Sequence, residues 1–131
     1  MNEAARLRAI VESAGVAILC TDEDFRITEF NPGAERAFGR PRAEVIGMRY
    51  SSLLPEMVRD KVDRDCARVF DGEAIEQFEN TIVDVDGHVS VLLWDVRCLR
   101  NADGEAVGLV AVGQDITARQ IERGMPTELS S

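Results

Sequence analysis

Histidine is nearly missing from this chain: His88 is the one imidazole in 131 residues. Cysteine is sparse too, with Cys20, Cys66 and Cys98 scattered and without C-x-x-C spacing. A metal centre needs several such ligands close together, and this pattern does not supply them. An odd count of three also argues against a disulfide framework and for reduced thiols in a cytoplasmic setting. Positive charge is in deficit: 15 Lys and Arg face 24 Asp and Glu, a formal net charge of −9. A nucleic-acid binder needs a basic face for phosphate contacts, so that class is set aside. Long apolar runs are absent, and Val16–Cys20 is far too short to cross a bilayer. Met1 leads into a polar, charged helical pattern instead of a signal peptide, so no direct membrane insertion is expected.

What is present is an ordinary globular composition, 45% hydrophobic and 30% charged, in one domain's length of chain. Leu7, Ile10, Val11 and Ala14 fall at i, i+3, i+4, i+7, which predicts an N-terminal amphipathic helix ended by Gly15. Val16–Thr21 and Phe25–Phe30 read as strands joined by the acidic turn Asp22-Glu23-Asp24. Asn31-Pro32 then opens a helix, with asparagine as N-cap and proline where no N–H is needed; Gly39 stops it. Short helical pieces are predicted at Pro41–Gly47 and Ser51–Leu54. Pro55 opens the longest helix, Glu56 to about Phe70, whose apolar stripe is Val58, Val62, Cys66 and Val69. Broken helical pieces of this kind between strands suit a domain that wraps a cavity.

The remainder is β. Ile75–Val85 and Val89–Leu99 flank Asp86-Gly87, a strong hairpin signal, and Asn101–Gly104 turns the chain into Ala106–Gln114. In the middle strand Val89, Val91 and Leu93 alternate with Leu92, Trp94, Val96 and Cys98, so both faces are apolar and both need cover. After the last strand, Thr117 and Gln120 fit a capping box, and Ile116 and Ile121 a hydrophobic staple. No serine or cysteine is paired with a base, and Asp22, Asp24, Asp84, Asp86 and Asp103 sit in turns, where aspartate bonds to backbone. An enzyme is therefore not expected.

The element order, the D-G hairpin, Asp115-Ile116-Thr117 at the end of the last strand, Asn31-Pro32-Gly33-Ala34 and Glu44-Val45-Ile46-Gly47 together resemble a PAS domain over roughly Ala5 to Gln120. That resemblance implies an α+β fold: a five-stranded antiparallel sheet in order 2-1-5-4-3 with helices on one face. It divides the chain into an N-terminal helix (1–15), a PAS core (16–117) and the start of an output helix with its tail (118–131). It implies a sensory and dimerisation module, coupled to an effector through Asp115, Ile116, Thr117 and Gln120.

Carried over position by position, the resemblance places a ligand pocket at Val58, Val62, Cys66, Ile82, Leu92, Trp94, Leu109 and Ala111. Asn80 or Ser90 would add a polar contact, for a small apolar or amphipathic ligand such as a fatty acid or aromatic metabolite. A core packed against itself, leaving a protein-interaction scaffold without ligand, is the alternative. A light-sensing flavin domain would need a cysteine within Met48–Ser52, amides at Ile82 and Leu92, and a glutamine at Gly113. A haem domain would need a histidine on the long helix. Neither set is there, and no cofactor is expected. Leu7, Ile10 and Val11 are expected to meet Val91 and Leu93 on the outer sheet face, within the chain or across a homodimer. The expected whole is a cytoplasmic bacterial sensor module within a larger signalling protein, of the histidine-kinase or cyclic-dinucleotide type.

Overall fold

A computed structural model describes residues 16–83 and 87–122, with the side chains of Val83 and 119–121 set aside. The helix expected over 1–15, with Leu7, Ile10 and Val11, lies outside the described residues. Strands β1 (Ala17–Thr21), β2 (Ile27–Phe30), β3 (Ile75–Val83), β4 (Val89–Arg100) and β5 (Ala106–Asp115) form one sheet in the order β2-β1-β5-β4-β3. Every neighbouring pair is antiparallel, so both the α+β class and the strand order are as expected. Between β2 and β3 run helices α1 (Pro32–Phe38), α2 (Arg42–Val45) and α3 (Glu56–Phe70), with a 3-10 turn at Tyr50–Leu53. Helix α4 (Thr117–Glu122) follows β5.

Local chemistry sets the joins. Asn31 caps α1 as expected: its Oδ1 accepts from Ala34 N at 2.8 Å. The same Oδ1 accepts from Ile18 N at 2.8 Å, while Nδ2 donates to the Val16 carbonyl at 2.9 Å. One buried amide thus pins the start of α1 onto β1. Gly33 belongs to this contact, because a Cβ there would stand 2.1 Å from the Val16 carbonyl oxygen.

The second strand starts later than Phe25, its expected first residue. Asp22 Oδ1 accepts from Asp24 N at 2.9 Å and Arg26 N at 3.0 Å, closing a tight loop. Phe25 takes a left-handed backbone (φ 62°) within that loop, which turns its ring towards Phe70 at 6.0 Å. Extended pairing resumes at Ile27.

On the helix-covered face the interior falls into two groups. One gathers Leu19, Ile27, Phe30, Ala34, Leu92 and Trp94; the other gathers Cys66, Val69 and Leu109 with Val62, Phe70 and Ile75. Strand alternation puts Val89, Val91 and Leu93 on the opposite face, where the first two are buried with Ile116. Both faces of β4 are covered at this end.

Replacing Asn31 with alanine removes these three side-chain bonds, all at least partly buried, and leaves Ile18 N, Ala34 N and Val16 O to find other partners. The expected loss is about 3 kcal/mol, with a fall in Tm of roughly 10 °C by calorimetry. A variant as stable as the parent would show that α1 is held by packing alone.

Candidate functional site: cavity and exit junction

Between the two interior groups lies an apolar cavity of about 100 Å³. Strands β1, β4 and β5 supply its floor through Leu19, Trp94, Val96, Leu109 and Ala111. Helix α3 covers it with Val62, Cys66 and Val69, which recur at helical spacing on one stripe. Tyr50, from the 3-10 turn, closes one side, and Ile75, Phe78 and Asn80 of β3 line another. The floor stays open because Ala111 is small and because Gly113 lets the Trp94 ring approach β5 closely. A Cβ at Gly113 would come within 2.8 Å of Trp94 Cε3 and Cζ3.

Of the residues expected in a pocket, Val62, Cys66, Trp94, Leu109, Ala111 and Asn80 come together around this cavity. Val58, Ile82, Leu92 and Ser90 do not line it. Leu92 is buried in the first interior group, with Ile82 packed against that group. Ser90 is one register step beyond, opposite Ile82, and Val58 sits in the first turn of α3. Leu19, Tyr50, Val69, Ile75, Phe78 and Val96 also line the space but were not expected to. Val69 already stood on the predicted apolar stripe of the long helix, one turn after Cys66. Ile75 and Phe78 could not have been found from such a pattern, since they are three residues apart in one strand yet share a face. The register shift between them absorbs the extra residue, with Gln77 at φ 53° and its N–H donating to Asp95 Oδ1 at 3.1 Å.

Two polar groups at the cavity, Thr21 and Asp65, are already engaged. Thr21 Oγ1 accepts from Leu109 N at 3.2 Å and donates to the Asp22 carbonyl at 3.0 Å. Asp65 takes Lys61 Nζ at 2.8 Å and Arg68 at 3.6 Å. Burial holds the Tyr50 hydroxyl far above the ordinary tyrosine range, with the neighbouring Cys66 adding to the effect.

At the other end of β4 the chain leaves the sheet. Ile116 N donates to the Val91 carbonyl at 2.8 Å, and Val91 N donates to Thr117 Oγ1 at 2.9 Å. Asp115 Oδ1 in turn accepts from Thr117 N at 2.8 Å. The Thr117 hydroxyl, expected to serve a capping box, is thus engaged with the sheet, because the Val91 N–H needs an acceptor where β5 ends. The side chains of Gln120 and Ile121, the other halves of the box and the staple, lie outside the described residues.

The PAS fold profile matches residues 11–121. The chain belongs to the PAS family. Among solved structures, it resembles a PAS domain of a Colwellia psychrerythraea protein at 18% identity and a TM-score of 0.74, covering 90% of this chain and 100% of that one. It resembles the Vibrio cholerae VqmA dimer, described as a LuxR-type receptor, at 19% identity and a TM-score of 0.73. That match covers 88% of this chain and 52% of VqmA. An RNA-binding light-oxygen-voltage receptor matches at 24% identity and a TM-score of 0.70, over 93% of this chain and 34% of that one. The chain therefore spans about half of VqmA and a third of the light receptor, and these likenesses carry the fold alone. Among curated protein sequences, none matches the chain significantly.

The cavity of this PAS domain does not fit a flavin. Where amides would be needed, Leu92 is buried hydrocarbon and Gly113 lies under the Trp94 indole. Haem is served no better, since α3 carries no histidine. Its Cys66 thiol is pushed up to about 11 by burial, reinforced by Asp63 and Asp65 and only partly offset by Arg49. Among the described residues no group of His, Cys, Asp and Glu is placed to hold a metal, and no helix is long and apolar enough to cross a membrane.

The raised Cys66 value gives a sign and a window. An unfolded thiol at 9.0 ionises before the folded one, so the stabilisation is complete below pH 9 and drains away as pH rises towards 11. At pH 8, alkylation of Cys66 by iodoacetamide, followed by peptide mass mapping, should run at least about 100-fold slower in the folded protein than in urea. Equal rates would mean that Cys66 is an exposed, ordinary thiol.

Proposed function

We propose that this PAS domain is a sensor module whose cavity state sets the position of α4, and through it an effector in a larger signalling protein such as a histidine kinase or a cyclic-dinucleotide enzyme. The observation that carries this reading is the double use of β4. Trp94 and Val96 form the cavity floor, while Val91, three residues before Trp94, takes both bonds from the exit junction. A change in the space under Trp94 therefore acts on the strand to which α4 is fastened, as a packed two-state element requires. The work is binding and not catalysis, in keeping with hydrocarbon walls and a carboxylate, Asp65, already paired with Lys61 and Arg68. We place the module in the bacterial cytoplasm, in keeping with free cysteines and an acidic composition.

Homodimerisation belongs to the same reading. Val91 is covered from within the chain by Ile116, but Leu93 is half-buried and Val112, on the same outer face, is 37% exposed. Leu7, Ile10 and Val11 supply the matching apolar stripe, from their own chain or from a second copy. Leu7→Glu should shift a dimer towards monomer in sedimentation velocity, and a monomer at millimolar concentration would end this part of the proposal.

Coupling is tested without knowing the signal. Ala111→Leu puts added hydrocarbon into the cavity and stands in for an occupant. Thr117→Val removes the acceptor used by Val91 N. Amide hydrogen exchange should respond over Ile116–Glu122 in both variants, by about tenfold for Thr117→Val. If filling the cavity leaves exchange in α4 untouched, the cavity and the exit are not coupled.

A further inference from the structure

Trp94 carries a buried donor that no other described residue accepts. The side chain is 5% exposed, and among the described residues its Nε1 is the buried side-chain polar atom with no hydrogen-bond partner. Indole nitrogen donates and never accepts, and a buried donor left unmade costs about 1–3 kcal/mol. Relaxation of the ring does not remove that cost. Its Cε3–Cζ3 edge, remote from the N–H, lies against Gly113, and Phe38 packs beside it at 6.0 Å. The indole lines the cavity.

We propose that the cavity binds a small, uncharged, largely apolar molecule of about one ring, bearing a hydrogen-bond acceptor (a carbonyl, ether or ring nitrogen) that takes the Trp94 Nε1 proton. This rests on the sensor reading above and specifies its ligand. The walls exclude an ion: Asp65 is already matched by Lys61 and Arg68, and Tyr50 and Cys66 stay protonated, so a buried charge would go unpaired. Size follows from the cavity and its neighbour. At 100 Å³ the inner space alone is tight for one ring. A surface groove of about 240 Å³ adjoins it and shares Asp65, Val69, Ile75 and Phe78 as walls. Phe78, 53% exposed, borders both spaces, and with it turned outward they reach the lower end of small-molecule sites, about 300 Å³. Thr21 is saturated by Leu109 and Asp22, so the unpartnered indole N–H joins the Tyr50 hydroxyl and the Asn80 amide as the polar groups at the cavity.

Trp94 is the sole tryptophan, so its indole ¹H–¹⁵N resonance is unambiguous. The probes are cyclohexanone and methylenecyclohexane, which match in shape and differ in whether oxygen or CH₂ is double-bonded to the ring. The ketone should move the indole proton downfield and bind about tenfold more tightly, the amides of Leu109 and Ala111 reporting occupancy for both probes. In Trp94→Phe the preference for the ketone should vanish while methylenecyclohexane still binds; if that variant does not fold, the ratio in the parent protein decides. Equal affinities, or binding of the ketone without an indole shift, overturn the acceptor while leaving a ligand cavity in place. If neither probe perturbs Leu109 or Ala111, even with Phe78→Ala to widen access, both this inference and the cavity reading fall.

Discussion

Residues Val89–Trp94 put hydrocarbon on both faces of β4, and neither face can be left to water. Helices cover the inner face, where Leu92 and Trp94 are buried. The outer face is covered at Val89 and Val91 by Ile116, the first residue after β5. That requirement fixes the path of the chain. To bury Ile116 the segment must turn back across β4, and in doing so it brings Ile116 N to the Val91 carbonyl and Thr117 Oγ1 to the Val91 N–H. The direction in which α4 leaves is thus a consequence of keeping one strand dry.

The cavity has a similarly local origin. Ala111 and Gly113 on β5 stand opposite Val96 and Trp94 on β4, so two large floor residues face two with almost no side chain. The indole fills the space over Gly113 and leaves the space over Ala111 and Leu109 underfilled. Helix α3 cannot close that gap, because its stripe offers Val62, Cys66 and Val69, all short. An empty volume of this size costs about 2 kcal/mol in lost packing. Cys66 adds nothing reactive to it, because the burial that removes its contact with water also keeps the proton on sulfur.

Local signals made much of this legible from residue types. Asn31-Pro32 marked the start of α1, since capping needs an oxygen acceptor followed by a residue that has no N–H to satisfy. The periodic stripe marked α3 over Glu56–Phe70. The strand order came from the resemblance to PAS domains and not from any pairing rule. What escaped depended on partners distant in sequence. Thr117 reads as an N-cap from its neighbours, and its hydroxyl also accepts from Val91 N, 26 residues away. Leu92 is a pocket residue by the PAS resemblance, and it does face inward, but the space beside it is filled by the first interior group. Alternation gives the face of a residue; only the opposing side chains decide whether that face is filled.

The register shift in β3 unites two demands that an even strand could not meet together. As an edge strand, β3 exposes a row of backbone groups that would pair with another chain, and a bulge flanked by charge blunts that tendency. Glu76 pairs with Arg97 at 3.1 Å, and Gln77 N is taken by Asp95, so part of this edge is already engaged by β4 side chains. The cavity, meanwhile, reaches this same edge and needs apolar closure from both ends of the shift. In an unbroken strand, period two would put Ile75 and Phe78 on opposite faces, and one of them would be lost to solvent. With one residue absorbed at Gln77, both turn inward. The cavity is thereby bounded at the margin of the sheet by a half-exposed ring instead of a continuous wall, and this is where its volume meets the charged groove formed by Lys61, Asp65, Arg68 and Glu73.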